Sequence, residues 1–340
     1  MIRLNSLKQL KKHNNFTNFM TKINYFLFPF FILLSPLPEL AQVKIKDPLF
    51  KSNYHQIHNT NIADFKDDFI TLSNQDLDKL AEKLANYYLT QQKIDDFPDN
   101  ITSNQSLLIQ SKFVNNLINN QGNIIGYKAG LTNQKIQERF NTNQPVLGTL
   151  LEKMLLPSGT IVSSKFGAIP MMEGDLMVRV KSEKINQAKT TEEVLNYLDA
   201  VIPFLELPDL MYSQDLKLNK EMLVAINVGA RLGIMGEPIP LEATKEWHTK
   251  LSNIQVTIKD ELGQELAQGN GKALLGDPLT VVLWIKDELR SQGKSLKKGD
   301  LLSLGSITPL IPVKPGKTIS AQYLGLNEAS PVQLSVHFEE

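Results

Sequence analysis

Residues 171–180 read "MMEGDLMVRV". Met172, Leu176 and Val178 alternate with Glu173, Asp175 and Arg179, and a period of two is the mark of a strand with one face in a core. Glu173 and Asp175 are separated only by Gly174, so they point to the same side, with Cα atoms about 6–7 Å apart. Carboxylates that close repel unless one is protonated or a cation lies between them. Gly174 falls on the opposite face and permits a close approach to the backbone. Taken alone, the pair reads first as a wet strand face on which Arg179 neutralises Asp175.

A third acid, Glu206, lies 31 positions after Asp175 in another apolar segment, "IPFLELPDL". Three carboxylates, each set among apolar residues, make an oxygen-rich site suited to Mg²⁺ or Mn²⁺. The five histidines, His13, His55, His58, His248 and His337, are scattered and none accompanies these acids. That disfavours zinc, and it disfavours a Ser-His-Asp arrangement beside them. The absence of cysteine excludes disulfides, thiolate catalysis and thiolate metal sites.

The chain has 340 residues, of which 42% are hydrophobic and 21% charged, the balance of a globular protein with a sizeable core. Its 36 basic and 36 acidic residues cancel, yet they are unevenly placed. Arg3, Lys8, Lys11, Lys12 and Lys22 stand against Glu39 alone in residues 1–41, which leaves a mildly acidic body. A body with no basic stripe argues against nucleic acid as a partner. The apolar run "YFLFPFFILL" (25–34), behind scattered lysines and ahead of "SPLPELAQ", has the form of a secretory signal. Ala41 is the candidate cleavage position, and Met20 an alternative start. The run is shorter than the about 20 residues a spanning helix needs, so no stable membrane span is expected once it is removed. Export to the periplasm or outside the cell is the expectation; an uncleaved extension on a cytoplasmic protein is the alternative.

Residues 42–72 form an irregular polar lead-in. Leu77, Leu80, Ala81, Leu84, Ala85 and Tyr88 then recur at helical steps behind Ser73/Asn74. A second helix over roughly 104–120 carries Leu107, Leu108, Phe113, Val114, Leu117 and Ile118, with Gly122 as its stop. "GNIIGYKAGLTN" (122–133) reads as a strand entering a turn, followed by a short helix capped by Thr132 or Asn133. "TTEEVLNYLDAVIPFLELPDL" begins as a helix that Pro203 ends, leaving "FLEL" as a short extended piece. "NIQVTIKDELGQELAQGNG" reads as two strands about a glycine turn, and "DPLTVVLWIKDELRSQG" as a helix with an Asp cap and Pro in its first turn. The remaining segments are strand-rich. "GNGK" (269–272) lacks the spacing of a phosphate loop. Two helices followed by a β-rich body predict a single α+β unit over residues 73–340.

"GYKAGLTNQKIQERF", "LGTL", "EGD", "FLE", "GNGKALLGDPLTVVLWIKDEL" and "GDLLSLGSITPLIPVKPG" occur in that order over residues 75–340. In this the chain resembles the 2-keto-4-pentenoate hydratase branch of the fumarylacetoacetate hydrolase superfamily. The resemblance implies a mixed β-sheet roll with amino-terminal helices. It implies a divalent cation, Mg²⁺ or Mn²⁺, on Glu173, Asp175 and Glu206, and an active-site lysine at Lys128. Asn227, in "VAINVGARLG", falls in the family's polar active-site segment and is read as a substrate contact or as a core-capping Asn. The implied reaction adds water to a 2-hydroxy-2,4-dienoate held as its 2-oxo acid, with Lys128 moving the proton. Decarboxylation of an oxalocrotonate-like diacid is the sister activity. The family also implies a homo-oligomer and a small 2-oxo acid or dienoate as partner. Three departures stand out: Asp175 where many hydratases have Glu, "LPDLM" where the family runs toward Ser-Arg, and "AIPMM" where a polar approach commonly carries Arg. They motivate a further alternative, a non-catalytic binder of small organic acids.

Overall fold

Ser73 and Thr102 each open a helix by the same device. In the computed structural model, which describes residues 72–327 and 330–340, α1 (Asn74–Thr90) and α2 (Ser103–Gln121) begin with capping boxes. Ser73 exchanges hydrogen bonds with Asp76, and Thr102 with Gln105, which satisfies amide groups that a helix start leaves open. Leu77, Leu84 and Tyr88 of α1 meet Ile109, Phe113 and Leu117 of α2 in one buried cluster. Phe113, Val114 and Leu117 of α2 are buried as expected, but Ile109 takes the place expected of Leu108: Ile109 is fully buried, while Leu108 is 47% exposed. Ile109, Phe113 and Leu117 keep a strict four-residue step, and that geometry decides between adjacent apolar residues.

The described residues all lie within one compact unit, Ile70–Glu340. The expected signal, its Ala41 cleavage position and residues 42–71 of the lead-in lie outside the described residues.

After α2 come β1 (Ile124–Gly130), α3 (Gln134–Arg139), β2 (Val146–Leu151), β3 (Leu155–Pro157), β4 (Ile161–Ser163) and β5 (Met171–Val180). Then follow α4 (Thr191–Leu195), β6 (Leu198–Leu207), α5 (Lys220–Ala225), β7 (Leu232–Met235), β8 (Ile239–Pro240), α6 (Lys245–Asn253), β9 (Gln255–Lys259) and β10 (Glu265–Asn270). The chain closes with α7 (Pro278–Ser291), β11 (Leu301–Ser303), β12 (Ile311–Pro312), β13 (Lys317–Leu324) and β14 (Val332–Glu339). The larger sheet runs β2-β1-β11-β5-β6-β7-β3, with β12 beside β5 and β8 beside β6. The smaller runs β10-β9-β13-β14-β4. Both mix parallel and antiparallel pairs, so the α+β class and mixed sheet are as expected.

Pro203 does not end a helix. That helix is only Thr191–Leu195, and Pro203 sits inside the ten-residue strand β6. A proline cannot give a ladder hydrogen bond. Here it falls where the neighbour changes, since β7 pairs with Phe204–Leu207 and β8 with Ala200 and Val201.

Alternation along β5 and β6 separates two faces. Leu176, Val178, Val201 and Leu205 enter the main core with Val256, Ile258, Ala321, Tyr323 and Val336 of the smaller sheet. Met177, Ile202 and Phe204 line the opposite face in a smaller cluster. Glu173, Asp175 and Glu206 share that second face, just beyond its apolar patch.

Candidate active site

β5 and β6 pair antiparallel in a register that sets Glu173 directly across from Glu206, and Asp175 across from Phe204. Directly opposed residues on one face have Cβ atoms about 4.5–5.5 Å apart, and like charges there are destabilising. All three acids are buried: Glu173 is 9% exposed, Glu206 2% and Asp175 0%. Arg179 does not serve them, because its Nε donates to Asp199 at 2.7 Å. The wet-face reading is thereby corrected: the acids are inside, and their nearest arginine along the strand is paired elsewhere.

The cation that does reach them is Lys128, on β1. In sheet order β11 and β5 lie between β1 and β6. Across a flat sheet that is about 14 Å at 4.8 Å per strand. Lys128 Nζ nevertheless pairs with Glu206 Oε1, and both side chains are almost wholly buried. The contact requires the sheet to curl, which brings side chains of distant strands together. Lys128 Nζ also donates to the Val228 carbonyl at 3.0 Å.

Hydroxyl groups from the end of β11 and the segment after it meet two of the acids and the glycine between them. Ser303 Oγ donates to Asp175 Oδ2, while the Leu176 amide donates to Oδ1. Ser306 lies against Glu173. Thr308 Oγ1 accepts from the Gly174 amide at 2.9 Å. From behind, Tyr323 on β13 donates its hydroxyl to the Phe204 carbonyl, two residues before Glu206. A Cβ on Gly174 would lie 2.7 Å from Val256 Cγ1, so a glycine is required for the sheets to meet there.

Burial, and next the charge of Glu206, push the Glu173 carboxyl up to about 8. The same two causes hold the Asp175 carboxyl well above its ordinary range. Glu206 Oε2 is buried with no hydrogen-bond partner, and such an atom is costly to leave unpaired. Fully ionised, three carboxylates and one ammonium carry two uncompensated negative charges, which a divalent cation would neutralise. The donor set is all oxygen, as hard cations prefer. On these grounds the residues fit a divalent cation. Among the described residues no three acids or histidines stand gathered at ligand spacing: Lys128 occupies one oxygen of Glu206, and Ser303 and the Leu176 amide engage Asp175. Three surface clefts, the largest of about 1040 Å³, are lined by none of these four residues.

The chain is 27% identical over 213 residues to a 2-hydroxyhexa-2,4-dienoate hydratase of Comamonas testosteroni, covering 61% of this chain and 77% of the relative. It is 26% identical over 264 residues to a 4-oxalocrotonate decarboxylase of Pseudomonas putida, covering 76% and 97%. The solved 4-oxalocrotonate decarboxylase from Pseudomonas putida G7, complexed with magnesium and adipate, superposes with a TM-score of 0.69 at 26% identity, covering 79% of this chain and 99% of that one. The chain is a relative of the 2-keto-4-pentenoate hydratases and 4-oxalocrotonate decarboxylases. A second structure of the decarboxylase, with calcium and acetate, gives a TM-score of 0.68 at 25% identity. No family model matches the chain.

Lys128, Glu173, Asp175 and Glu206 are all buried, with Lys128 on Glu206 and Glu206 across from Glu173. Asn227 stands apart in role, because its amide grips the backbone of Thr149 on both sides. The sequence carries no signal for Ser303, Ser306 and Thr308, whose hydroxyls stand in "SLGSIT" (303–308), a pattern common where a strand runs into a turn. Asp209, the acid of the divergent "LPDLM", is buried and accepts from the amides of Ala168, Ile169 and Met211. It braces the "AIPMM" approach to β5, so two of the departures form one structural unit.

Proposed function

We propose that this chain is a divalent-metal-dependent lyase acting on a small 2-oxo acid, either hydrating a 2-hydroxy-2,4-dienoate or decarboxylating an oxalocrotonate-like diacid. The observation that carries it is the cross-strand placement of Glu173 on Glu206 beside Lys128 and Asp175, all of them buried. Glu173, Asp175 and Glu206 would hold the cation, Mg²⁺ or Mn²⁺. When bound, it supplies a Lewis acid for the substrate's carboxylate and 2-oxo oxygens, easing build-up of negative charge on the latter. Lys128 Nζ, held between Glu206 and the Val228 carbonyl, carries the proton between substrate carbons. Ser303 and the Leu176 amide orient Asp175. Met177, Ile202 and Phe204 keep the adjoining face dry, which strengthens the charge interactions among these residues.

Decarboxylation has a specific observation in its favour: the match spans 97% of a decarboxylase's length against 77% of the dienoate hydratase's. The test is to incubate the purified protein with 2-hydroxypenta-2,4-dienoate, and separately with 4-oxalocrotonate, each with Mg²⁺, Mn²⁺ or EDTA. Metal-dependent loss of the dienol absorbance supports hydration, and CO₂ release supports decarboxylation. No turnover of either substrate with either metal overturns the lyase reading.

Residues 73–340 are the catalytic domain in this reading, and residues 1–41 an export leader. Among the described residues no helix is long and apolar enough to cross a membrane. Sequencing the amino terminus of the protein recovered from cell fractions tests the leader. Light scattering on the eluted protein tests the expected homo-oligomer.

A further inference from the structure

Asn227, Val228 and Gly229 are three consecutive residues in the left-handed region, with φ of 56°, 57° and 66°. For a residue with a side chain that conformation costs about 1–2 kcal/mol, and a β-branched Val suits it poorly. All three residues are buried. Such strain persists only where the surroundings over-determine it.

Here they do. Asn227 Nδ2 donates to the Thr149 carbonyl at 2.8 Å, and Asn227 Oδ1 accepts from the Thr149 amide at 2.7 Å. Gln110 Nε2 reaches the same Oδ1 at 3.5 Å and the Leu147 carbonyl at 2.6 Å. One side chain thus takes the place of a ladder partner beside β2 and pins the turn to it. The turn in exchange presents the Val228 carbonyl to Lys128 Nζ at 3.0 Å. Gly148 lets the parts close together: a Cβ there would lie 2.8 Å from Lys128 Cγ and 2.9 Å from the Asn227 carbonyl oxygen.

We propose that Asn227 is a positioning residue that acts through Lys128. Its clamp on Thr149 holds the left-handed turn, the turn places the Val228 carbonyl, and that carbonyl sets where the ammonium stands relative to Glu206. The inference rests on the reading of Lys128 as the proton-carrying group. It assigns Asn227 no contact with substrate, because both ends of the amide are committed to Thr149.

The test uses Asn227→Gly in the full chain, since glycine accepts the left-handed backbone and removes only the clamp. Kinetics with Mg²⁺ should show kcat falling by about 10–100-fold, the cost of a displaced catalytic group. KM should stay within about threefold, because Asn227 makes no contact with substrate. A raised KM with unchanged kcat would mark a substrate contact and overturn the proposal, as would wild-type kcat. A second readout needs no turnover: thermal melts of wild type, N227G, K128M and the double variant, without metal. The proposal expects N227G to lower the melting temperature less in the K128M background than in wild type. Equal shifts in both backgrounds overturn it. If wild type turns over neither substrate, the lyase reading fails, and the melts still decide whether Asn227 acts through Lys128. Should N227G not fold, Asn227→Asp keeps the acceptor half of the clamp, tolerates the left-handed region, and is read by the same criteria.

Discussion

Replacing Lys128 by Met keeps most of the side chain's length and volume and removes its charge. Glu206 then loses its ion-pair partner on Oε1, and Oε2 already has none. Both side chains are at most 4% exposed, so water cannot substitute. Removing one member of a buried pair costs about 3–5 kcal/mol. At about 2–4 °C per kcal/mol for a domain of this size, the melting temperature in EDTA should fall by roughly 6–20 °C. Metal should reverse much of that loss. A cation at 100 times its Kd stabilises the folded state by about 2.7 kcal/mol, and in K128M it meets three acids with no competing ammonium. Scanning calorimetry of wild type and K128M, each with EDTA and with saturating Mg²⁺, should therefore show a larger Mg²⁺ shift in the variant, with activity abolished. If K128M melts with wild type in EDTA, or Mg²⁺ shifts neither protein, the charge arrangement argued for these four residues is wrong.

Glu173 gives a pH-dependent expectation. Its carboxyl is raised from 4.5 to about 8 in the folded protein, so between those values the folded state holds a proton that the unfolded state has released. Metal-free stability should then be highest below the lower value and decline as pH rises through the window, levelling above the upper. At pH 7 the penalty is about 3 kcal/mol at 1.36 kcal/mol per pH unit; urea melts in EDTA should show Glu173→Gln gaining about that much at pH 7 and little at pH 5, while losing Mg²⁺ stabilisation. Gly148→Ala places a methyl within 3 Å of Lys128 Cγ and the Asn227 carbonyl; kcat should fall by about tenfold or more while calorimetric Mg²⁺ binding persists. Asp209→Ala strips an acceptor from three amides and should cost roughly 3 kcal/mol or more in urea unfolding.

The sequence reveals more of the site's chemistry than of its arrangement. Alternation in "MMEGDLMVRV" is enough to place Glu173 and Asp175 on one face, because a strand's period is local. That Glu206 stands opposite Glu173, 33 positions away, depends on how two strands choose their register, and no local pattern records it. Pro203 misleads for the same reason: a proline is a break unless the neighbouring strand changes beside it, and only the assembled sheet shows that β7 and β8 do so. Lys128 stands out in its motif, yet its contact with Glu206 exists only because the sheet curls. The helix caps at Ser73, Asn133 and Asp277 are legible because capping is settled within four residues. In α2, by contrast, Leu108 and Ile109 are interchangeable by hydrophobicity, and the packing partner α1 decides which is buried.

Tyr323 belongs to the smaller sheet, yet its hydroxyl holds a carbonyl on the strand that bears Glu206. The acids therefore lean on a second layer that contributes none of them. Loosening that rear wall, by heat or by a substitution on the far side of β13, would unsettle the floor beneath the charges while leaving every ligand candidate chemically intact. Loss of function from such a lesion would look like a damaged centre when the fault lay one layer behind it.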